Sequence, residues 1–341
     1  MSDPTDGATD GPVAEPGSEP GDVEGVPTCY RHRDRETYVR CNRCDKYICP
    51  DCMHSAAVGF HCPDCVREAN RTVRQRQTLF GGKVSGEEGA VTKVLIGLCV
   101  VVYVLQLSDA SIVGRFADLP AEVSLREAGS RIVADVEGVA AGQYYRLLTS
   151  AFLHGSPIHI AFNMYALFAF GTQVERSLGH VRYLALYLLS ALGGSTLSFL
   201  LAEVGGGQYL VRSSASVGAS GAVFGLFGAY YVIAKRLRAD TGQIVGLIVI
   251  NLAIGFAIPQ IDNWAHIGGL VTGVAVMYAI SKVPRGPRRG LIQGVAMGAI
   301  ALVVVGLVVY RTASLRDEFP VLRQGGTTVA PVNQGASPPA R

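Results

Sequence analysis

Seven long apolar stretches between residues 91 and 310 restrict what this chain can fold into. A bilayer core about 30 Å thick needs roughly 20 apolar residues in a helix, because no water is present to satisfy an open backbone. The sequence therefore predicts an all-α polytopic membrane protein, with a fifth span that is short and stops at Pro259. The predicted spans are residues 91–107, 147–170, 183–202, 217–234, 244–258, 264–281 and 291–310.

The distribution of charge orients these spans. Only 17% of the residues are charged, against about 25% in soluble domains, and the net charge of +3 gives no reason to expect a nucleic acid partner. Basic residues are enriched in cytoplasmic loops. We therefore expect a multi-pass protein of the cell membrane with a cytoplasmic N-terminus and an extracytoplasmic C-terminus. The basic residues that follow spans two, four and six are Arg176, Arg182, Lys235, Arg236, Arg238, Lys282, Arg285, Arg288 and Arg289.

Five polar residues fall in the first halves of spans two, four and six: His154, His159, Asn163, Ser220 and His266. These spans run in the same direction, so the five residues share the outer half of the bilayer. Each has an alternative role in packing, since a small hydroxyl or a helix-bridging amide can join helices. A polar side chain inside the membrane is costly, however, and indicates function by default. Their common depth favours one functional site.

Glycines suggest how two of these residues could meet. Glycine recurs at every third or fourth residue in spans four and six, so each helix has one face without side chains, which suits a close helix crossing. Such a crossing would bring the Ser220 hydroxyl to the His266 imidazole, the pairing that activates a serine nucleophile. The positions in the two stripes are Gly218, Gly221, Gly225 and Gly228 in span four, and His266, Gly269 and Gly273 in span six.

A serine nucleophile also needs hydrogen-bond donors for the oxyanion that develops on the substrate. His159 and Asn163 are four residues apart, so they share a helix face, and the Ser220 amide could join them. No acidic residue lies at this depth, so packing must orient His266. Phe224, one turn after Ser220, is expected to stack on the imidazole.

Taken in order, these motifs resemble the rhomboid family of intramembrane serine proteases over residues 91–281. Residues 282–310 would then add a loop and a seventh span to a six-helix bundle. Tyr145 stands where the family usually has Trp, and Phe224 where it often has Tyr. The matching residues are Gly218, Ser220 and Gly221 (GxSG); His154, His159 and Asn163; Ala265, His266, Gly269 and Gly273; Arg146; and Gly171, Glu175 and Arg176.

The resemblance implies a Ser220–His266 dyad and an oxyanion hole formed by His159, Asn163 and the Ser220 amide. It also implies a role for His154 beside that site and a lateral gate at span five. No cofactor is expected for catalysis. Substrates would be transmembrane segments of other proteins, cut near the extracytoplasmic face. The alternative is a catalytically inactive relative that binds transmembrane helices as an adaptor or chaperone.

A second pattern precedes the spans, because seven of the eight cysteines lie between residues 29 and 65. Together with His32, they form four pairs of zinc-knuckle spacing. Eight ligands fill two tetrahedral sites, and a reducing cytoplasm disfavours disulfides. We therefore expect two structural zinc ions. The pairs are Cys29 with His32, Cys41 with Cys44, Cys49 with Cys52, and Cys62 with Cys65.

The spacing resembles a B-box-type zinc finger. That resemblance implies a cross-brace in which the first and third pairs share one ion and the second and fourth share the other. Sequential pairing is the alternative, and His61 could replace Cys62. A role in contacting a protein partner or in regulation is expected for this domain.

The remaining segments complete the predicted domain organisation. Residues 1–27 are predicted to be a disordered acidic tail, 28–67 the zinc-binding domain, 68–90 a basic linker and 311–341 a disordered tail. The 25 arginines against five lysines suggest a GC-rich bacterial genome.

Overall fold

A computed structural model of the chain describes residues 25–72, 77–82, 87–128, 131–203, 215–258, 260–324 and 328–331. Residue contacts divide the chain into two compact units, Met1–Arg74 and Gln75–Arg341. Most of the predicted acidic tail, Pro259 and the last ten residues of the chain lie outside the described residues.

The first unit is built around its cysteines. A 3₁₀ turn at Pro50–Cys52 leads into an antiparallel hairpin of β1 (His54–Ser55) and β2 (Phe60–His61), and then helix α1 (Pro63–Thr72). Ile48 is fully buried among the cysteine side chains, and Thr37 donates a hydrogen bond to its carbonyl. A core this small needs additional cross-links to hold a fold. Helix α1 also runs past residue 67 into the predicted linker.

The second unit is predominantly helical, as predicted. Within the part of the chain that the structure describes, α2, α7, α10 and α11 are long and apolar enough to cross a membrane, and α9 is a shorter apolar helix. These helices indicate a multi-pass membrane protein. The helices are α2 (Ala90–Ser108), α3 (Ser111–Phe116), α4 (Arg146–Thr149), α5 (Pro157–Ala166), α6 (Thr172–Leu178), α7 (His180–Leu201), α8 (Ser220–Arg236), α9 (Gly242–Ala257), α10 (Asn263–Lys282) and α11 (Arg289–Glu318).

The second predicted span differs most from the structure. A single helix from residue 147 was expected, but α4 and a 3₁₀ turn (Ser150–Phe152) end before a new helix begins at Pro157. Proline favours the first turn of a helix, and the Ser156 hydroxyl caps this one by accepting the His159 amide. Helix α5 then continues through a π-helical turn (Leu167–Gly171) into α6. His154 therefore precedes the helix in which it was placed.

The end of the chain is more ordered than predicted. Helix α11 continues beyond residue 310 to Glu318, and Leu315 in this extension is fully buried. The Arg316 Nε atom donates to the Ala140 carbonyl at 2.7 Å. The expectation of a disordered tail from residue 311 is therefore wrong for this part, because these side chains pack on the loop between α3 and α4.

That loop contains a small sheet, which the sequence did not predict. Strands β3 (Glu122–Ala128) and β4 (Arg131–Glu137) form an antiparallel hairpin, and β5 (Thr328–Pro331) adds to β4 with Val133 opposite Val329. The sheet connects the segment after α11 to the loop after α3.

Part of the predicted linker 68–90 belongs to the second unit. Phe80 is buried, its amide donates to the Ser177 carbonyl, and its own carbonyl accepts from Gln293. This segment is therefore fixed against the ends of α6 and α11, and it is not a free linker.

Helices α8 and α10 cross with their backbones in contact, which confirms the crossing that the glycine stripes predicted. A methyl group at Gly269 would lie 1.9 Å from the Gly221 carbonyl oxygen, and one at Gly273 would lie 2.1 Å from the Gly225 carbonyl oxygen. Only glycine permits this approach. Gly218 is the exception in its stripe, because it precedes α8 with a φ of +134°.

Replacing Gly269 by Ala should destabilise the protein by about 1–3 kcal/mol, because the methyl group has no room. Gly246→Ala is the matched control. Its methyl group would meet nothing within 4 Å, so it should be neutral or stabilise α9 by up to about 1 kcal/mol. Thermal unfolding in detergent measures both, and equal unfolding temperatures for the two variants would contradict the crossing.

Candidate active site

Ser220 is the first residue of α8 and is half-buried. The segment that leads to it is fixed from both sides. The Gly218 amide donates to the Ser150 carbonyl at 3.0 Å, and Ser216 and Asp118 exchange two backbone hydrogen bonds of 2.8 and 3.0 Å. The positive φ of Gly218 turns the chain sharply before the helix, a conformation that disfavours other residues. The hydroxyl therefore stands at a helix start whose approach is rigid.

His266 lies on α10 and packs against α8, the helix that begins with Ser220. Its imidazole stacks on the Phe224 ring with a centroid distance of 4.2 Å and an interplanar angle of 9°, which confirms the expected stacking. His266 is buried, and its Nδ1 atom has no hydrogen-bond partner among the described residues. The described residues also include no hydrogen bond between Ser220 and His266. Phe224, on which the ring stacks, follows Ser220 by one turn of α8.

The start of α10 is held by Asp262, a residue that no sequence motif singled out. Its carboxylate caps the helix by accepting the Ala265 amide at 2.9 Å, and it also accepts the Ser198 hydroxyl of α7. Because this cap lies one turn before His266, it fixes the first turn of the helix that carries the imidazole.

His159 and Asn163 lie on α5, one turn apart. A methyl group at Gly218 would lie 2.8 Å from His159 Nε2 and 3.6 Å from Ser220 Oγ, so all three residues border one small space. The Asn163 side-chain amide is buried and donates to the His159 carbonyl at 3.0 Å. The structure therefore brings His159 to the serine, while Asn163 is engaged within its own helix.

His154 lies in the loop before α5. It is 1% exposed, and neither ring nitrogen has a partner among the described residues. Its ring meets that of His159 edge-on at 5.3 Å. Gln106 of α2 holds its backbone by accepting the His154 amide and donating to its carbonyl. Gln106 is a single polar residue at the end of an apolar run, so nothing in the sequence indicated that its side chain holds the His154 backbone.

Arg146 holds the loop that surrounds the site. It is only 1% exposed, and its guanidinium donates to the carbonyls of Gly114 and Ala117 and to the side chains of Gln143 and Glu137. A buried guanidinium with this many acceptors fixes the loop rigidly. The exposed Tyr145 ring lies beside it.

A small cavity opens beside Ser220. Four serines are among the residues that line it, although the surrounding helices are apolar, so the cavity can accommodate polar groups. The residues that line it are Ser150, Ala151, Ala191, Ser195, Ser216, Val217, Gly218, Ser220, Gly221, Ala222 and Ala265.

The ligand atoms of the first unit form two clusters. Cys29, His32, Cys49 and Cys52 form one, and within each cluster the ligand atoms lie within 4.8 Å of one another. The His32 Nδ1 atom is 3.3 Å from Cys49 Sγ and 3.4 Å from Cys52 Sγ. Ligands about 2.0–2.3 Å from a tetrahedral zinc ion would be separated by roughly 3.5–3.8 Å, so the donor set fits zinc.

The second cluster contains Cys41, Cys44, Cys62 and Cys65. This grouping is the cross-brace and not the sequential pairing. Cys62 lies 3.6 Å from Cys44 between the sulfur atoms, whereas His61 pairs with His54 across the β1–β2 hairpin and joins neither cluster.

Comparison with known proteins finds a family match for part of the helical unit. Residues 141–283 match the family described as Rhomboid domain. The matched segment begins in the loop before α4 and ends just after α10, so it includes Ser220, His266 and the α5 residues.

Three relatives illustrate the similarity. The chain is 37% identical over 179 residues to Rhomboid protease GluP of Bacillus subtilis, covering 50% of this chain and 32% of that protein. It is 37% identical over 154 residues to RHOMBOID-like protein 6, mitochondrial, of Arabidopsis thaliana, covering 43% and 47%. It is 30% identical over 156 residues to Rhomboid-type serine protease 2 of Emericella nidulans, covering 44% and 29%. The matches span less than half the length of these relatives, and they support the rhomboid family for this segment.

Zinc content tests the two clusters. We expect two zinc ions per chain by elemental analysis, and Cys49→Ser should lower the count to about one, since three ligands hold a structural ion poorly. Cys99→Ser is the control, because Cys99 is a buried residue of α2 in the other unit. A wild-type content of zero or one would contradict the two-site arrangement.

Proposed function

We propose that the chain is an intramembrane serine endopeptidase that cleaves transmembrane segments of other membrane proteins near the extracytoplasmic face. The observation that carries this proposal is the stacking of the His266 imidazole on Phe224, which follows Ser220 by one turn of α8, at the close crossing of α8 and α10. The rhomboid family match of the same segment supports it.

The proposed chemistry uses Ser220 as nucleophile and His266 as base. The imidazole takes the hydroxyl proton as Oγ attacks the scissile carbonyl, and returns it to the amide nitrogen when the peptide bond breaks. Water then hydrolyses the acyl-enzyme with the same base. Because Nδ1 of His266 is buried, Nε2 is the ring nitrogen assigned to this exchange. Hydrogen bonds of this kind are often long without substrate and tighten in the complex.

The oxyanion of the tetrahedral intermediate would be stabilised by His159 and the Ser220 amide, whose position at a helix start favours negative charge. Asn163 would join them after its amide leaves the His159 carbonyl. His154 would support His159 through their edge-on contact.

Substrate helices would enter beside α9. Only Ile244 and Gly255 of this helix are buried, whereas ten residues of α10 are buried. A helix with so few packing contacts is the element that can move at least cost. The polar cavity beside Ser220 would supply the water that the bilayer lacks.

For the first unit we propose two structural zinc ions held in a cross-brace and a role in binding a protein partner. A structural ion with four protein ligands has no open position, so it would stabilise the fold without entering the reaction. We further propose that this unit is cytoplasmic and that the protein lies in the plasma membrane, as the loop charges favour.

Mutation of the dyad tests the activity. Purified wild type should label with a fluorophosphonate probe and cleave a model transmembrane substrate. Ser220→Ala and His266→Ala should each reduce cleavage by at least about 10³-fold. Equal rates for all three proteins would refute the dyad. Tight substrate binding by wild type, with neither labelling nor cleavage, would favour the adaptor or chaperone alternative.

The stacking of Phe224 makes a separate prediction. Phe224→Ala should reduce kcat by about 10²-fold, because a misplaced base costs roughly that much, while Phe224→Tyr keeps the ring and should retain most activity. Phe199→Ala is the matched control, since Phe199 is fully buried on α7 and packs in a separate apolar cluster with Leu147 and Leu315. If both alanine variants lose activity only in proportion to lost stability, the ring has no orienting role.

A further inference from the structure

Asp118 is a buried acid that the proposed reaction does not use. It lies between α3 and β3, outside the membrane-spanning helices, and is 1% exposed. Neither carboxylate oxygen has a hydrogen-bond partner among the described residues. Burying an ionised carboxylate without partners is very costly, so a side chain in such a place is expected to be neutral.

The backbone of Asp118 is joined to the segment that carries the serine. Its amide donates to the Ser216 carbonyl at 3.0 Å, and the Ser216 amide donates back at 2.8 Å. Four residues later this segment reaches Ser220 through Gly218. Movement of Asp118 would therefore be transmitted directly to the nucleophile and to its amide.

Three elements surround the Asp118 carboxyl group. Asp262, ahead of α10, faces it with a negative charge, Ser195 of α7 lies beside it without completing a hydrogen bond, and Arg146 of α4 contributes a positive charge. The Arg146 guanidinium is already occupied by Glu137 and by loop carbonyls. Burial raises the pKa of Asp118 to about 8, Asp262 acts in the same direction, and Ser195 and Arg146 oppose the rise.

We propose that Asp118 is a positioning residue that must stay neutral to hold the Ser216–Ser220 segment in its active geometry. Ionisation would place a second negative charge near Asp262 in a buried site and would release the Asp118–Ser216 pairing. The inference deepens the proposed function and rests on it for its catalytic consequence.

The first experiment compares pH profiles of the full chain between pH 6 and 10. For wild type, kcat/KM and the rate of fluorophosphonate labelling should fall together above about pH 8, reaching about one tenth of the plateau at pH 9. Asp118→Asn is neutral at every pH, so this alkaline limb should disappear. An Asp118→Asn profile that superimposes on that of wild type would overturn the proposal.

Two further variants show whether the fall in activity at alkaline pH is caused by ionisation of Asp118. Asp109→Asn is the matched control, since this exposed carboxylate lies between α2 and α3 and accepts the nearby Ser111 amide, and it should keep the limb. Asp262→Asn removes the facing charge but can still cap α10, so the limb should move to lower pH. A limb that does not move with Asp262→Asn would contradict the proposed coupling.

Thermal unfolding provides a readout that does not need activity. The folded-state pKa lies above the ordinary value of about 3.9, so the contribution of Asp118 to stability is full below about pH 4 and is lost as the pH rises towards 8. The unfolding temperature of wild type should therefore fall relative to that of Asp118→Asn between pH 5 and 9. A constant difference would overturn the inference. If this difference in unfolding temperature changes with pH but wild type shows neither labelling nor cleavage, the protease proposal is refuted, while the inference that Asp118 is neutral in the folded protein stands.

Discussion

Contact between the backbones of α8 and α10 is the constraint on which the rest of the site depends. Gly221 and Gly225 of α8 leave no room for a side chain on Gly269 and Gly273 of α10. Inside a bilayer there is no hydrophobic effect to drive helices together, so close packing of small residues must supply the attraction. This same approach brings the start of α8 and the first turns of α10 together, so one set of glycines both holds the bundle and positions the helices that carry Ser220 and His266.

Contacts from the loops fix the backbone segments beside the α8–α10 crossing. Arg146 ties the connection between α3 and α4 together, Asp118 joins that connection to Ser216, and Asp262 caps the helix that carries His266. Each contact acts on backbone close to a proposed catalytic residue. The site thus combines a rigid pair of helices with a hydrogen-bonded outer layer, and such pre-organisation is what electrostatic stabilisation of an oxyanion requires. The apolar helix α9, with little of its surface buried, is the exception to this rigidity.

Much of this arrangement could be predicted from the sequence, for identifiable reasons. Hydropathy located the helices, because a bilayer permits few alternatives, and glycine spacing predicted the α8–α10 crossing. The Phe224–His266 stacking followed from helical periodicity. The start of the second span was wrong because hydropathy does not register the stop at Ser150–Phe152 or the cap at Ser156. Asp118 and Gln106 went unnoticed because their partners are distant in sequence, and the pairing of β4 with β5 joins strands nearly 200 residues apart. Cysteine spacing predicted eight ligands, but only the fold distinguished cross-brace from sequential grouping.

The most direct measurement of the central claim is an experimental structure of the wild-type protein after reaction with a fluorophosphonate. The account predicts a covalent bond from phosphorus to Ser220 Oγ. It also predicts His266 Nε2 within hydrogen-bond distance of the adduct, with the imidazole still stacked on Phe224. An adduct on another residue, or a His266 ring turned away from the modified serine, would contradict it.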